Sequence, residues 1–145
     1  MIFLDTTYVN GLIIKKDPYK KSSENIKPFL DKEAKATNIT VLVEVLNSLK
    51  RNNFNGNVKD IVNQLFNVHI FDFLSKEDYK KAMELFRFYN HAINFADCTI
   101  LVSMQKHGIT RIATFDSDFD KIHWINRICG FFLTHFNYCE MIHLI

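Results

Sequence analysis

The sequence predicts a three-layer α/β domain, in which a central parallel β-sheet is flanked by helices. Short apolar, β-prone runs alternate with segments of helical period along the 145 residues. This alternation is typical of parallel strands joined by helical crossovers. Hydrophobic residues make up 48% and charged residues 23% of the chain, which is ordinary for a soluble globular protein. Because the length also suits one core, we expect residues 1–145 to form a single domain.

The first third of the chain is predicted to hold two strands and three helices. Residues 2–4 are apolar and predict a buried strand, which a helix follows over about 7–14. A polar turn then leads to a second helix that begins near residues 22–23. A short strand over 37–40 runs directly into a third helix, which continues through Lys50 and stops at a pair of asparagines.

The middle of the chain is predicted from its periodicity and from one helix cap. Apolar side chains recur with the helical period over 58–66, whereas residues 68–73 alternate as a strand does. Ser75 is a favourable N-cap, and Asp78 stands three residues after it. This pair predicts a helix that begins after Ser75 and runs through about Tyr89.

The last third is predicted to supply one more helix and the remaining strands. A helix over 95–107 ends at Gly108, the residue type expected just beyond a helix C-terminus. Strands are predicted over 111–115 and 124–128. Residues 129–145 form an aromatic tail, which we interpret as an added element at the edge of the sheet.

The charge of the chain excludes a strongly basic, DNA-coating class of protein. The net charge is only +2, so no large field attracts nucleic acid, although a local patch can still bind RNA. Seven lysines lie close together in the sequence after the first predicted helix, at positions 15, 16, 20, 21, 27, 32 and 35. We interpret most of them as a solvated helix face and a minority as contacts to phosphate.

The cysteines and the N-terminus predict a cytoplasmic protein. Three cysteines without a CxxC pair argue against a disulfide framework and a structural zinc site, and for a reducing compartment. The first residues lack the basic start of a signal peptide. The longest apolar stretch, residues 128–136, is too short to cross a bilayer, so we expect no membrane partner.

Four carboxylates stand in strongly apolar surroundings, namely Asp5, Glu44, Asp97 and Asp116. An acid among hydrophobic residues is costly unless a cation or hydrogen bonds compensate it. Asp5 and Asp116 each follow a predicted strand, and the carboxyl ends of parallel strands meet at one edge of a sheet. Glu44 and Asp97 lie in the first turns of helices that can face that edge. The four acids therefore predict a divalent-metal site there.

Each acid also has an ordinary structural explanation, which the sequence leaves open. Asp5 could cap the following helix, Glu44 could lie on a helix surface, and Asp116 could belong to a turn. Asp97 comes three residues after Asn94, a natural N-cap, where a carboxylate interacts favourably with the helix dipole. Apolar residues at i+3, i+4 and i+7 share its helix face, so we expect Asp97 to point into the structure.

An all-carboxylate site favours phosphodiester hydrolysis. Carboxylates suit Mg²⁺ or Mn²⁺, hard cations that keep waters and accept phosphate oxygens. Such ions lower the pKa of water and stabilise a leaving oxygen. Motifs of other activities are missing, since the sequence contains no GxGxxG, no P-loop and no GxSxG. Thr7 stands where a haloacid-dehalogenase-type phosphatase needs an aspartate.

The four acidic motifs, in their order and spacing, resemble those of the PIN-domain family, specifically its VapC-type toxins. The resemblance covers roughly residues 1–128, and its matching pieces are residues 2–6, 39–45, 96–101 and 112–119. It implies a PIN fold and endoribonuclease activity that depends on Mg²⁺ or Mn²⁺. It also implies a homodimer and a cognate antitoxin that holds the toxin inactive, often through an arginine-bearing tail. The aromatic tail over 129–145 matches no family motif.

The resemblance implies roles for individual residues. Asp5, Glu44 and Asp97 match the three core acids of the family, and Asp116 matches the more variable fourth, with Asp118 as the competing residue. Thr6 and Thr114 match positions that support the metal ligands through hydrogen bonds. Two other functions stay open: a PIN-like binding module that has lost catalysis, and a metal-dependent nuclease that acts on DNA.

Overall fold

A five-stranded sheet forms the centre of the molecule in the computed structural model, which describes residues 1–130. In chain order the elements are β1 (Ile2–Leu4), α1 (Thr6–Ile13), α2 (Lys20–Leu30), β2 (Lys35–Asn38), α3 (Ile39–Arg51), α4 (Val58–Phe66), β3 (Ile70–Asp72), α5 (Lys76–Phe88), α6 (Phe95–Lys106), β4 (Arg111–Ala113), a 3₁₀ helix (Ser117–Lys121) and β5 (Asn126–Ile128). Every neighbouring pair of strands is parallel. The predicted α/β fold with a central parallel sheet is confirmed.

The strand order β3-β2-β1-β4-β5 fixes where a ligand can bind. The first two crossovers move from β1 outward to β2 and β3, and the third returns across the sheet to β4. Because such crossovers are right-handed, α5 and α6 lie on the face opposite α1 to α4. The direction changes between β1 and β4, and the crevice beyond the carboxyl ends of these two strands is the usual ligand site of open parallel sheets.

The hydrophobic core is built on β1, which is buried along its whole length. The helix α6 is buried on every side from Asp97 to Met104, because it packs under α5 and against the sheet. An all-round apolar helix has no single inward face. The predicted inward stripe beside Asp97 is therefore only part of a wider buried surface, and Asp97 itself is 7% exposed.

Helix caps explain several of the observed element boundaries. The predicted cap at Ser75 is confirmed, and Ser75 and Asp78 form a reciprocal capping box. Asn38 accepts a hydrogen bond from the Val41 amide at 3.0 Å. As a result β2 ends two residues earlier than predicted, because its last residue already caps α3. Gly108 follows α6 with a φ of 65°, a backbone conformation that glycine adopts without strain.

Other predicted boundaries are wrong by a few residues. The strands β3, β4 and β5 are shorter than predicted, and α2 begins at Lys20 rather than near residues 22–23. Periodicity marks side-chain burial, which continues past the last hydrogen-bonded residue of a strand. Asn94 stands at the N-cap of α6 as predicted, but its side chain makes no capping hydrogen bond.

One cysteine and the lengths of the helices bear on two further expectations. Cys98 is a free, buried thiol within α6, and the expectation of a reducing compartment stays a prediction. Within residues 1–130, no helix is long and apolar enough to cross a membrane. The interpretation of the aromatic tail falls on residues 131–145, which lie outside the described part of the chain.

Candidate metal centre

Asp5 lies at the switch point, immediately after β1, and is held by two threonines. Its Oδ2 accepts hydrogen bonds from the Thr114 hydroxyl at 2.5 Å and from the Thr7 hydroxyl at 3.1 Å. Asp5 occupies the N-cap position of α1, yet its side chain makes no capping bond. Burial raises the pKa of this carboxyl, although the threonine hydrogen bonds act in the opposite direction. The side chain is therefore aimed at the site rather than at the helix.

Asp97, in the first turn of α6, has a buried oxygen without a partner. Its Oδ2 has no hydrogen-bond partner among the described residues. Burial, followed by the charges of Asp5 and Asp116, raises the pKa of Asp97 to about 8. Glu44 and Asp118 add smaller contributions of the same sign. This carboxyl is thus close to the other predicted acids, and nothing in the described chain compensates its negative charge.

The loop after β4 brings two further carboxylates beside Asp97. One oxygen from each of Asp97, Asp116 and Asp118 lies within 4.8 Å of the other two, and we refer to these residues as the acid group. The Asp116 amide donates to the Thr114 hydroxyl at 3.0 Å, and the Asp118 amide donates to Asp116 Oδ1 at 2.9 Å. Asp116 is thus both a turn residue, as one explanation held, and a member of the acid group. The structure brings both loop acids close to Asp97, and which of them serves as the fourth acid stays a prediction.

Glu44 lies at the margin of the acid group and is half-buried. Its Oε2 accepts a hydrogen bond from the Thr6 hydroxyl at 2.8 Å. A free helix-surface glutamate would not be bonded across 38 positions of sequence in this way. The contact also brings the start of α1 against α3, so that the predicted supporting residue Thr6 does contact a predicted ligand.

Two residues of this region were missed at the sequence level. Thr7 bonds Asp5, contacts the Thr114 hydroxyl at 3.1 Å and accepts the Phe115 amide at 2.9 Å. The Lys121 ammonium lies 2.8 Å from Asp118 Oδ1 and also donates to the Ala92 carbonyl. In the sequence, Thr7 looks like an ordinary residue at the start of a helix, and Lys121 looks like an ordinary surface lysine. No motif predicts the contacts that they make here.

The acid group fits a hard divalent cation. Its donors are carboxylate oxygens, the ligand type that Mg²⁺ and Mn²⁺ prefer. The unpartnered Asp97 Oδ2 is the strongest indication, because a buried polar atom without a hydrogen bond is costly and rare. The Lys121 ammonium pairs only with the outermost acid, whose side chain is 38% exposed. The inner part of the acid group therefore has no protein cation among residues 1–130.

Residues 2–125 match the model of the PIN domain family, and the chain belongs to this family. Among solved structures, VapC20 of Mycobacterium tuberculosis, described as a sarcin–ricin loop cleaving toxin, has a similar fold. It superposes with a TM-score of 0.71 at 24% sequence identity, over 86% of this chain and 97% of that chain. No curated protein sequence matches the chain significantly.

Two further structures share the fold at lower identity. A toxin–antitoxin complex from Klebsiella pneumoniae gives a TM-score of 0.63 at 18% identity, over 87% of this chain and 96% of that chain. VapBC2 from Rickettsia felis, bound to a DNA fragment from its promoter, gives 0.60 at 17% identity, over 88% and 98%. At these identities the likeness establishes the common fold alone.

Proposed function

We propose that this protein is an endoribonuclease that depends on Mg²⁺ or Mn²⁺ and is the toxin of a type II toxin–antitoxin pair. The observation that carries the proposal is the buried, unpartnered Asp97 Oδ2 within a group of three carboxylates. Membership of the PIN domain family and the similar folds of VapC20 and the two toxin–antitoxin complexes support it. Hydrolysis of a phosphodiester is the chemistry that an all-carboxylate cation site serves best.

The residues proposed to hold the cation are Asp5, Glu44, Asp97 and Asp116, with Asp118 joining them. When bound, Mg²⁺ or Mn²⁺ supplies Lewis-acid stabilisation of phosphate oxygens and lowers the pKa of water. The chain itself fixes the carboxylates: Thr114 and Thr7 hold Asp5, and Thr6 holds Glu44. Fixed ligands cost no reorganisation during the reaction, which is why hydrogen-bonded supports tune such sites.

The proposed partners follow from the same assignment. The substrate is RNA, the regulator is a cognate antitoxin that covers the acidic edge, and the protein forms a homodimer. Because RNA and antitoxin meet the toxin inside the cell, we place the activity in the cytoplasm. Residues 1–145 are proposed to form one PIN-like domain, of which residues 2–125 carry the family match.

The activity is tested by incubating the purified chain with a pool of random-sequence single-stranded RNA in Mn²⁺ and sequencing the new RNA ends. A sarcin–ricin-loop hairpin is included because VapC20 is described as cleaving that loop. We expect cleavage at preferred sequences, loss of cleavage in excess EDTA, and inhibition when the product of the neighbouring reading frame is co-expressed.

The same assay separates the proposed function from its alternatives. Cleavage of flap or single-stranded DNA in preference to RNA would indicate a DNA nuclease. A folded protein that binds no Mn²⁺ by calorimetry and cuts neither polymer would indicate a binding module without catalysis. RNA cleavage that persists in excess EDTA contradicts the metal dependence.

A further inference from the structure

Two aromatic rings form a parallel stack beside the acid group. The rings of Tyr19 and Phe115 have centroids 4.7 Å apart and planes inclined by only 8°. Phe115 lies between Thr114 and Asp116, and its amide donates to the Thr7 hydroxyl at 2.9 Å. The main chain of Phe115 is therefore held by the same threonine that holds Asp5, and its ring belongs to the loop that carries Asp116.

The outer ring of this pair is open to solvent. Tyr19 is 40% exposed although Phe115 covers one face of its ring, so a large part of the residue remains accessible to a ligand. The Tyr19 amide donates to the Asp17 carboxylate at 2.8 Å, which fixes the turn just before α2. A rigid, exposed aromatic ring offers a flat apolar surface to a planar ligand. Little conformational entropy is lost on binding, because the ring is already held in place.

Uncompensated cations lie on either side of Tyr19 in the sequence. Lys20 and Lys27 pair with Glu24 and Asp31 on the same helix. In contrast, no acid of the described residues lies within ion-pair distance of Lys15, Lys16 or Lys21, and all three are exposed. Lys15, Lys16 and Lys21 are therefore the lysines of this segment that we assign to phosphate contacts, because no neighbouring acid of residues 1–130 pairs with them.

An exposed aromatic face with free lysines around it matches the way proteins bind single-stranded RNA. Unpaired bases stack on aromatic side chains, and lysines follow the phosphates. We propose that the Tyr19–Phe115 stack receives a nucleobase adjacent to the cleaved phosphodiester, and that Lys15, Lys16 and Lys21 contact the RNA backbone. This inference rests on the proposed ribonuclease function. It places one specificity-determining contact at the N-cap of α2 and assigns Tyr19 to substrate positioning rather than to catalysis.

The stack is tested with Tyr19→Ala, using the best-cleaved oligonucleotide from the random RNA pool. We expect KM to rise about 5- to 150-fold with little change in kcat, the ratio that corresponds to ~1–3 kcal/mol per stacked base. Tyr19→Phe keeps the ring and is expected to restore KM. Phe88→Ala is the matched control, because Phe88 is an exposed aromatic residue, 78% exposed, at the end of α5.

Abasic substrates distinguish stacking from a loss of structure. For the wild type, removing the one base that stacks is expected to raise KM as much as Tyr19→Ala does. In Tyr19→Ala the same abasic substrate is expected to cause no further increase, because the partner of that base is already gone. Additive losses, or a KM for Tyr19→Ala equal to that of Phe88→Ala, overturn the inference while leaving the ribonuclease assignment intact. A wild type that cleaves no RNA overturns the proposed function itself.

The lysines are tested by the salt dependence of KM. Replacing Lys15, Lys16 and Lys21 by alanine is expected to reduce the slope of log KM against log salt by about 2, since each phosphate contact on a single strand contributes ~0.7. The matched control replaces three exposed lysines of α4 and α5, namely Lys59, Lys76 and Lys81. Equal slopes for the two triple variants contradict the assigned phosphate contacts.

Discussion

Two groups of aspartates lie along the same edge of the sheet, each with at least one buried member, and their charges are compensated in opposite ways. At the end of β3, Asp72 and Asp78 each accept a hydrogen bond from the Lys106 ammonium at 2.8 Å, and we call these three residues the lysine cluster. The acid group, beyond β1 and β4, also consists of aspartates, but its inner member Asp97 has no cation partner among residues 1–130.

The pKa values of the two groups differ accordingly. Burial opposes ionisation of Asp72, but hydrogen bonds, chiefly from Lys106, outweigh it and lower the pKa. The same lysine lowers the pKa of Asp78 to about 2. The pKa of Asp97 is instead raised to about 8 by burial and by its acidic neighbours. The Lys106 ammonium thus pairs with the acids at the end of β3, whereas Asp97 has no lysine or arginine partner among residues 1–130, and we propose that a cation from solution binds there.

The largest expected effect is the loss of activity in Asp97→Asn. Removing a carboxylate that holds the cation is expected to lower RNA cleavage about 1000-fold or more, equivalent to several kcal/mol of transition-state stabilisation. The melting temperature is expected to stay equal or to rise, because the amide relieves repulsion among the carboxylates. Cleavage and melting are measured on the same preparation. Glu84→Gln, an exposed acid on α5, is the control, and full activity of Asp97→Asn would falsify the metal-ligand assignment.

The second prediction is that Mn²⁺ stabilises the protein only through the acid group. At 100 times its dissociation constant, a ligand of the folded state adds about 2.7 kcal/mol, which corresponds to a rise in melting temperature of roughly 5–10 °C at this size. The rise is expected to disappear in Asp97→Asn and to persist in Lys106→Met. An equal rise in both variants would show that the ion binds elsewhere.

The third prediction concerns the lysine cluster, which is expected to affect stability rather than catalysis. Lys106→Met leaves Asp72 and Asp78 buried without their cation. Breaking a fully buried pair costs roughly 3–5 kcal/mol, and since Lys106 is 37% exposed we expect about 2 kcal/mol here. Urea unfolding gives this free energy directly. Cleavage per folded molecule should equal that of the wild type, and a selective loss of activity would link the cluster to the site.

The fourth prediction concerns the pH dependence of stability without a divalent cation. Asp97 has a folded-state pKa of about 8, raised from 3.8, so its stabilising contribution is complete below pH 4 and is lost as the pH rises through 8. Asp78 has a lowered pKa, so its contribution is present above pH 4 and is lost as the pH falls through 2. In EDTA, melting curves of the wild type and Asp97→Asn should diverge between pH 4 and 8. Parallel curves would contradict the raised pKa.

The position of the acid group was largely predictable from the sequence. Asp5 and Asp116 follow strands of a parallel sheet, and the topology alone brings such residues to one edge. The apolar neighbours of Asp97 correctly indicated burial, even though its helix is buried on all sides. The sequence did not decide whether Asp116 or Asp118 lies closer to Asp97. The 3₁₀ helix in this loop has only five residues, which is too short to show a periodic pattern.

The supporting contacts were less predictable because they depend on exact distances between remote positions. Thr114 meets Asp5 across 109 positions of sequence, and Thr6 meets Glu44 across 38. Only the family resemblance drew attention to these threonines, and it did not include Thr7. The lysine cluster was missed altogether, since Lys106 lies 34 positions from Asp72 and no pattern pairs them.

The hydrogen bond between Thr114 and Asp5 also has a consequence for when the site forms during synthesis of the chain. The first strand leaves the ribosome early, but its carboxylate meets the other half of the site only when β4 inserts beside β1. Such a contact between distant parts of the chain closes late, because the entropy of a long loop must be overcome first. A nascent chain that has emerged only as far as α5 holds Asp5 and Glu44 without Asp97, so the proposed cation site is incomplete until synthesis is nearly finished.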